Sequence, residues 1–265
     1  IGVSGMCVKA IDYDNDGDKD VYFVNHPHDF SRSMTIPTTM LNGKMVYVED
    51  TTTVNVSDRL FENRNGKFFD VTKKAGLIDH AFGLSASIAD VNGDGFIDIL
   101  AGNWGHNNKF VAGKNGPLKL YVKDFDKNGS TEQVMAYTID GKEYTFLAKD
   151  ELERSLPVLK KAYLNYSDVA GKTVSYMFYD LFNNYRELKA EQLGSSCFIN
   201  DGKGNFVRTS LPAQLQMAPL MSFASMPGNN LQFVTGGNFY GVVPYEGRYD
   251  AQPISIFRYD AKDKH

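Results

Sequence analysis

The sequence predicts an all-β fold built from repeated strand pairs, and three observations support this prediction. Three nine-residue acidic loops share one pattern, and each lies between two stretches rich in β-branched, aromatic and other apolar residues. Two further segments have the form of β-hairpins, with an Asn/Gly turn between apolar arms. The chain of 265 residues is 42% hydrophobic, which is enough for a sizeable core and argues against disorder and a coiled coil.

The acidic loops place oxygen-bearing side chains at a fixed spacing. They follow the pattern D-x-[DN]-x-[DN]-G-x-x-[DE] and run from Asp12 to Asp20, from Asp90 to Asp98 and from Asp124 to Glu132. Side chains at the first, third, fifth and ninth positions converge when Gly at the sixth position takes a positive φ, and the carbonyl of the seventh residue then also faces inward. Such a loop suits a hard cation. Ca²⁺, which takes about six to eight oxygen ligands, suits it better than Mg²⁺.

We therefore predict about three Ca²⁺ sites. The candidate ligands are Asp12, Asp14, Asp16, Asp18 and Asp20 in the first loop, Asp90, Asn92, Asp94, Phe96 and Asp98 in the second, and Asp124, Asp126, Asn128, Ser130 and Glu132 in the third. The loops hold eleven of the 32 acidic residues, and one Ca²⁺ in each would change the net charge from −4 to +2. A single loop of this kind is as well explained by an Asx turn that bonds its own backbone, but three copies favour the metal. The first loop, with five acids, should bind most tightly.

The sequence around each loop distinguishes this pattern from an EF-hand. An EF-hand has a carboxylate at the twelfth position and a helix after it, whereas here the twelfth residues are Phe23, Ala101 and Met135, each within a β-rich run. Each loop is therefore predicted to join two strands.

Similarity beyond the ligands indicates an internal repeat. Aligning the first two loops also superposes Gly5 on Gly83. The two predicted hairpins, Leu60 to Phe68 and Cys197 to Phe206, resemble each other as well. A third pair of similar segments consists of Gly-Asn-Trp at 102–104 and Gly-Asn-Phe at 237–239.

The acidic loops and the N-x-G-x-F hairpins resemble the FG-GAP/VCBS repeats that build β-propellers, such as the head of integrin α-subunits. The stretch from Leu118 to Ala251 resembles the C-terminal part of large VCBS-repeat proteins of Bacteroidota. The resemblance implies a β-propeller, or part of one, with approximate units at 1–77, 78–115, 116–210 and 211–265. It also implies calcium binding and an extracellular or cell-surface location, associated with the outer membrane if the host is bacterial.

Two segments depart from the repeat pattern. Residues 222–230, where a fourth loop would fall, contain no Asp, which predicts an uncharged turn without metal. Residues 149–189 lose the alternation typical of strands and predict a helical insertion in the third unit, with a break near Pro157 and a further short helix capped near Ser167.

The expected function is non-catalytic binding of a protein or glycan, as an accessory subunit of an outer-membrane import or adhesion complex. Gly-flanked aromatics after strand ends, Trp104, Phe239 and Tyr245, are the candidate partner contacts, although core packing explains such rings equally well. The helical insertion is the competing contact surface. No nucleophile elbow, P-loop or HExxH motif is present. The alternative is a carbohydrate-active enzyme on the same scaffold, because propeller active sites draw single residues from several blades.

Charge, cysteine content and hydropathy exclude several other classes of protein. A net charge of −4 without a basic block argues against nucleic-acid binding, and no apolar run is long enough for a membrane-spanning helix. The opening residues include neither an initiator Met nor a signal segment, which favours a mature chain or a fragment. Cys7 and Cys197 form no metal or redox motif and are either one long-range disulfide or two buried thiols.

Overall fold

The computed structural model describes residues 4–26, 38–42, 44–47, 53–55, 57–79, 81, 83–110, 115–226, 231–242 and 247–260. The strands in this part of the chain are β1 Ser4–Ile11, β2 Asp20–His26, β3 Thr38–Leu41, β4 Lys44–Tyr47, β5 Thr53–Asn55, β6 Arg59–Arg64, β7 Lys67–Asp70, β8 Ser85–Ala89, β9 Asp98–Gly102, β10 Leu118–Lys123, β11 Glu132–Ile139, β12 Lys142–Thr145, β13 Arg186–Ala190, β14 Ser196–Asn200, β15 Phe206–Ser210, β16 Leu220–Met226, β17 Gln232–Gly237 and β18 Ser255–Phe257. The α-helices are α1 Lys149–Ser155, α2 Pro157–Ala162, α3 Tyr166–Val169 and α4 Val174–Phe178, with 3-10 turns at Tyr179–Leu181 and Ala213–Leu215. The protein is thus mainly β, and the all-β prediction is confirmed.

The chain divides into two compact units, each made of separate segments. The first unit comprises residues 1–27, 56–109 and 192–265, and the second comprises residues 28–55 and 110–191. Both segments of the second unit are therefore insertions between parts of the first.

The first unit contains three antiparallel sheets, with strand orders β1-β2-β6-β7, β8-β9-β14-β15 and β16-β17-β18. The first and second acidic loops join β1 to β2 and β8 to β9, as predicted. Both predicted hairpins are present, as β6–β7 and β14–β15.

The sheets divide the chain differently from the predicted units. The hairpin β14–β15 pairs with β9 of the second sheet, through Ser196 with Ala101 and Phe198 with Ile99, although the repeat pattern assigned it to the third unit. The second sheet is thus completed by residues that lie far along the chain, after the whole segment 110–191.

Apolar side chains pack between neighbouring sheets of the first unit. One core lies between the first two sheets and includes Tyr22, Leu60, Ile99 and Phe198, each at most 1% exposed. The first strands of the sheets lie close together, because β8 contacts both β1 and β16. Ser85 in β8 donates its hydroxyl to the carbonyl of Leu220 in β16, with an Oγ to O distance of 2.8 Å.

The second unit is a five-stranded sheet of order β12-β11-β10-β13-β5 with the helices packed on it and a separate β3–β4 hairpin. Its strands are antiparallel except for β13 and β5, which are parallel. The third acidic loop joins β10 to β11, as predicted.

The helical insertion is confirmed, but it ends earlier than predicted. The last helical turn ends at Leu181, and the segment from Arg186 pairs with β10 as β13, where Leu188 and Ala190 are buried. The break at Pro157 separates α1 from α2. The cap of α3 is Asn165 rather than Ser167, because the Asn165 side chain and that of Asp168 form a capping box.

The two cysteines are free thiols, so the disulfide alternative is wrong. Cys7 is half-buried in β1, whereas Cys197 in β14 is buried, and burial raises the pKa of its thiol to about 12. No helix in the described ranges is long and apolar enough to cross a membrane. The predicted uncharged turn falls between β16 and β17, and residues 227–230 lie outside the described residues.

Candidate metal centres

The three acidic loops have the backbone conformation that the sequence predicts. The sixth residues, Gly17, Gly95 and Gly129, have φ values of 92°, 93° and 90°. A Cβ atom at Gly17 or Gly95 would meet no other atom within 4 Å, so the left-handed backbone, not the available space, requires glycine.

In each loop the ninth residue is a buried acid that accepts a hydrogen bond from the backbone N–H of the second residue. The contacts are Tyr13 to Asp20 at 3.2 Å, Val91 to Asp98 at 2.8 Å and Phe125 to Glu132 at 2.8 Å. These three carboxylates are at most 5% exposed. The contact closes the loop and fixes the ninth side chain at the start of the second strand.

A second contact also recurs in all three loops, from the backbone N–H of the seventh residue to the side-chain oxygen of the fifth. It joins Asp18 to Asp16 at 2.9 Å, Phe96 to Asp94 at 2.9 Å and Ser130 to Asn128 at 2.7 Å. Asp and Asn offer the same acceptor oxygen at this position, which explains why the pattern admits both.

The first loop brings three of its carboxylates together. One oxygen from each of Asp12, Asp14 and Asp20 lies within 4.8 Å of the others. In addition, the Oδ1 atoms of Asp12 and Asp18 are shielded from solvent and accept no hydrogen bond. Shielded carboxylate oxygens without a donor are costly unless a cation compensates them.

The acids of the first loop are also held in an environment that disfavours their ionisation. Burial, followed by repulsion from Asp16, raises the pKa of Asp14. Burial likewise raises the pKa of Asp20, although two backbone N–H groups act in the opposite direction. The carboxylate of Glu62, on the neighbouring strand β6, adds to the repulsion on Asp14 and Asp18. A divalent cation would remove this repulsion.

The second loop is closed by its own hydrogen bonds. Both carboxylate oxygens of Asp90 accept backbone N–H groups, from residues 93 and 94 at 2.7 and 3.0 Å and from residue 95 at 2.8 Å. Asn92 donates its side-chain amide to the Oδ2 atom of Asp94 at 2.9 Å. Within residues 90–98, all of which are described, the acids form no cluster comparable to that of the first loop. Burial raises the pKa of Asp98 to about 6.

The third loop combines features of the other two. Oxygens of Asp124, Asp126 and Glu132 lie within 4.8 Å of one another. Asp124 nevertheless accepts the backbone N–H groups of Asn128 and Gly129 at 3.0 and 2.9 Å, like the first acid of the second loop. Burial is the largest cause of the raised pKa of Glu132, which is about 7.

Two hairpin asparagines complete the first two loops, and the sequence did not identify them as site residues. The backbone N–H groups of Asn63 and Asn200 donate to the Oδ1 atoms of Asp20 and Asp98, each at 2.8 Å. Their side-chain oxygens accept from Gly66 and Gly202 in the hairpin turns, at 2.8 and 3.0 Å. The sequence signal that could have identified these two residues is the Asn that precedes the turn in both hairpins.

The first two loops are linked to each other. The side-chain amide of Asn200 donates to the carbonyl of Tyr13 in the first loop at 2.7 Å and to that of Ile97 in the second at 3.3 Å. Asn15 in the first loop donates to the carbonyl of Gly95 in the second at 3.3 Å. The two candidate cation sites are therefore neighbours.

The candidate partner contacts are less accessible than predicted. Trp104 is 7% exposed and packs edge-on against Phe239 and Tyr249, with ring centroids 5.5 and 5.6 Å away, so it belongs to the core and does not reach solvent. Phe239 is half-buried, whereas the adjacent Tyr240 is 71% exposed. Tyr245 lies outside the described residues.

The helical insertion exposes several large side chains. Leu164, Tyr166, Tyr176 and Tyr179 are 80%, 57%, 55% and 82% exposed. Two of the rings lie near lysines: the Nζ atom of Lys172 is 4.7 Å from the ring centroid of Tyr176, and that of Lys149 is 5.8 Å from that of Tyr166.

The fold and these loops define a mainly β protein with acidic turns suited to hard cations. No protein-family model matches the chain. Part of the sequence is similar to cartilage acidic protein 1 of Mus musculus, with 41% identity over 66 residues, which cover 24% of this chain and 9% of that protein. Cartilage acidic protein 1 of Homo sapiens is also 41% identical over 66 residues, covering 24% of this chain and 8% of that protein. The chain thus matches less than a tenth of the length of either relative.

Proposed function

We propose that this chain is a Ca²⁺-stabilised β-propeller module of the FG-GAP/VCBS type that binds a protein or glycan partner outside the cytoplasm, without catalysis. The observation that carries the proposal is the first acidic loop, where three carboxylates converge and the Oδ1 atoms of Asp12 and Asp18 are shielded without a donor. The same loop conformation occurs between three pairs of strands, so the acidic turn is a repeated structural element of the fold.

The ligand chemistry favours Ca²⁺. All the candidate ligands are oxygens from carboxylates, amides and main-chain carbonyls, which hard cations prefer, and the described loops contain no His or Cys. Mg²⁺ requires a near-ideal octahedron and keeps several waters, whereas Ca²⁺ tolerates the irregular set that a nine-residue turn supplies. Exposed loops of this kind match the millimolar Ca²⁺ available outside cells, which supports an extracellular or cell-surface location.

The arrangement of the three sheets in the first unit supports a propeller. The first two sheets each begin with strand, acidic loop and strand and end with an Asn/Gly hairpin. The first strands β1, β8 and β16 lie side by side, as the innermost strands of neighbouring blades do. The two segments of the second unit are inserted along the chain between strands of the first sheet and between strands of the second sheet.

The proposed partner contacts are exposed aromatic residues, and each unit has its own. In the first unit Tyr240 follows the half-buried Phe239. In the second unit the tyrosines of the helical insertion are exposed, and rings of this kind suit both sugar stacking and protein contacts. In a bacterial host such a module would serve an outer-membrane import or adhesion complex.

Calcium binding is tested first, by titration calorimetry on chelator-treated protein. We expect Ca²⁺ to bind with a stoichiometry above one and Mg²⁺ to bind at least about tenfold more weakly. Asp14→Ala should reduce the heat and affinity more than Asp126→Ala, because the first loop holds five acids and the third holds three. Absence of Ca²⁺ binding up to millimolar concentration would reject the proposal.

Partner binding is tested with glycan and peptide arrays, each in Ca²⁺ and in EDTA. A ligand that is retained only with Ca²⁺, and that is released chemically unchanged, supports a binding module. Release of a cleaved product would instead support the carbohydrate-active enzyme.

A further inference from the structure

One residue connects the first and second acidic loops at the groups that hold their ninth acids. The Nδ2 atom of Asn200 donates to the carbonyl of Tyr13, whose own N–H donates to Asp20. On the second loop, the backbone N–H of Asn200 donates to Asp98, and its Nδ2 atom also donates to the carbonyl of Ile97. Asn200 is 1% exposed, so water does not readily replace a lost contact of its amide. The position of the ninth carboxylate thus depends on Asn200 in both loops.

A second link joins the middle parts of the two loops. Asn15, the fourth residue of the first loop, donates its side-chain amide to the carbonyl of Gly95, the sixth residue of the second loop, at 3.3 Å. The N–H of Gly95 in turn donates to Asp90, the first acid of the second loop, at 2.8 Å. Asn15 has a φ of 58°, in the left-handed region that Asn adopts more readily than most residues. The loops are therefore connected at two separate points.

Repulsion between the acids of the first loop acts on both links. One oxygen from each of Asp12, Asp14 and Asp20 lies within 4.8 Å of the others, and like charges at this separation favour a more open loop. Tyr13 and Asn15 lie on either side of Asp14 in the chain, so a movement that separates the carboxylates also displaces the groups that contact the second loop. A cation that holds the three carboxylates together therefore also holds the second loop in place.

The third loop offers the same backbone turn without such a link. It belongs to the second unit, and backbone N–H groups of its own residues 128 and 129 donate to Asp124. Its fourth residue, Lys127, has a φ of 59°, close to that of Asn15, but carries no side-chain amide. The third loop is thus an internal reference for the other two.

We propose that a cation bound by the first loop strengthens cation binding by the second loop, and that Asn200 and Asn15 transmit this effect. The proposal rests on the calcium binding proposed above. Asn200 is here a positioning residue, because it holds Asp98 and the loop backbone without being a ligand itself. Charge alone predicts the opposite effect, since two cations repel each other. The sign of the coupling therefore distinguishes a structural link from electrostatics.

NMR of protein labelled with ¹⁵N-glycine measures Ca²⁺ binding by each loop separately. Gly17, Gly95 and Gly129 occupy the sixth positions, so their amide signals in a Ca²⁺ titration give one affinity for each loop. Asp14→Asn should weaken binding by the first loop, weaken binding by the second loop about fivefold and leave the third loop unchanged. Five acids with one Ca²⁺ leave a net charge of −3 in the parent loop, whereas the empty variant loop with four acids has −4. Charge alone would thus strengthen the second site in this variant.

The coupling and the calcium proposal fail in different ways. An affinity of the second loop that is unchanged or higher in Asp14→Asn would overturn the coupling and leave the calcium proposal intact. If none of the three glycine signals responds to Ca²⁺ up to millimolar concentration, the calcium proposal itself is rejected, and the coupling is rejected with it.

Two matched glycine variants test the link through Asn15. Asn15→Gly keeps the left-handed backbone, removes the amide and gives the first loop the same fourth residue as the second loop, Gly93. The second loop should then bind Ca²⁺ more weakly, and Asp14→Asn should have a smaller effect on it than in the parent protein. Lys127→Gly makes the same backbone change in the third loop and should leave the affinity of the second loop unchanged. Equal weakening of the second loop by both glycine variants would overturn the role of Asn15.

Asn200→Ala tests the link through the buried amide. Without its two donors, Asp14→Asn should no longer weaken the second loop. A purely structural Asn200 would lower the melting temperature equally in Ca²⁺ and in EDTA while the effect of Asp14→Asn persisted, and this result would overturn the proposal. Should Asn200→Ala fail to fold, the exposed variant Asn15→Gly still decides, because an undiminished effect of Asp14→Asn in that background would also overturn it.

Discussion

The first and second acidic loops share one pattern and one backbone turn, yet they differ in how their carboxylates are used. In the first loop three carboxylates converge, and two oxygens, on Asp12 and Asp18, are shielded without a donor. In the second loop the first acid, Asp90, is satisfied by three backbone N–H groups, and the third and fifth side chains bond each other. The motif therefore fixes the turn, while the residues at its variable positions decide how strongly the turn needs a cation.

The difference follows from charge at the third position. Asp14 is an anion that can only accept, so it repels the neighbouring acids, whereas Asn92 donates to Asp94 and ties that carboxylate to the loop. The first loop, with five acids, therefore has more repulsion for a cation to relieve than the second loop, with three acids and an amide.

Calcium removal should have the largest effect and should act mainly through the first loop. We expect EDTA to lower the melting temperature by about 5 °C or more, because a site occupied at 100 times its Kd contributes about 2.7 kcal/mol to the free energy of unfolding. Scanning calorimetry of the parent protein and of Asp14→Asn, each with and without Ca²⁺, measures the effect. The shift should shrink strongly in the variant, and an unchanged melt of metal-free parent protein would contradict the prediction.

Asn200 connects the two loops, and its loss should be the most damaging single substitution near them. Asn200→Ala removes two donors to the carbonyls of Tyr13 and Ile97 at a position that is 1% exposed, and should cost about 2 kcal/mol or more in the free energy of unfolding. Asn63→Ala is the matched control, because the Asn63 side chain accepts a hydrogen bond from Gly66 in its own hairpin turn, and this substitution should cost less than about 1 kcal/mol. Equal costs in urea unfolding would show that the link between the loops adds no stability.

Asn92→Asp should make the second loop resemble the first. The substitution replaces an amide donor with a repelling oxygen, so the metal-free protein should become slightly less stable while the stabilisation by Ca²⁺ increases by about 1 kcal/mol. The melting temperature as a function of Ca²⁺ concentration checks both effects. Gln214→Glu adds the same charge at an exposed position outside the loops and should change neither. A similar response from both variants would attribute the effect to net charge alone.

The smallest expected effect is that Ca²⁺ reverses the pH dependence of the melting temperature. The pKa of Asp98 is raised to about 6 and that of Glu132 to about 7, so the folded metal-free protein favours the protonated carboxyls. The stabilisation from the protonated carboxyls is complete below about pH 4, where the pKa values of Asp and Glu lie in the unfolded chain. It is lost as the pH rises through the folded-state pKa values of about 6 and 7. In EDTA the melting temperature should therefore fall between pH 5 and pH 8.

With Ca²⁺ the trend should be opposite, because the ion binds the ionised carboxylates. Asp98→Asn retains a neutral side chain at every pH and should flatten the slope measured in EDTA. A melting temperature that rises with pH in EDTA would show that other groups dominate.

Local features of the fold were predictable from the sequence because they depend on few neighbouring residues. Gly17 and Gly95 fix the turns, and the apolar runs on either side of each loop form the strands. The hairpin at 60–68 and the break at Pro157 follow from turn and helix-breaking residues in the same way.

Features that depend on residues far apart were not predictable. The pairing of Phe198 with Ile99 spans the inserted segment 110–191, so spacing along the chain did not indicate it. The burial of Trp104 depends on Tyr249, which no local pattern connects to it. The shielded oxygen of Asp12 depends on the three-dimensional arrangement of charges, which the motif alone does not reveal.

The return of the chain to β9 also has a kinetic consequence. The strands β10, β11 and β12 pair with their immediate neighbours in sequence. In contrast, β9 pairs with β14, and the whole segment 110–191 lies between these two strands. Two strands separated by a long flexible segment come together slowly. When the intervening segment has already folded, the effective loop between the two strands is shorter and they pair more readily. We therefore expect backbone amides of β10 and β11 to gain protection early during refolding and those of β14 late, so that the link which Asn200 makes between the two acidic loops forms among the final steps.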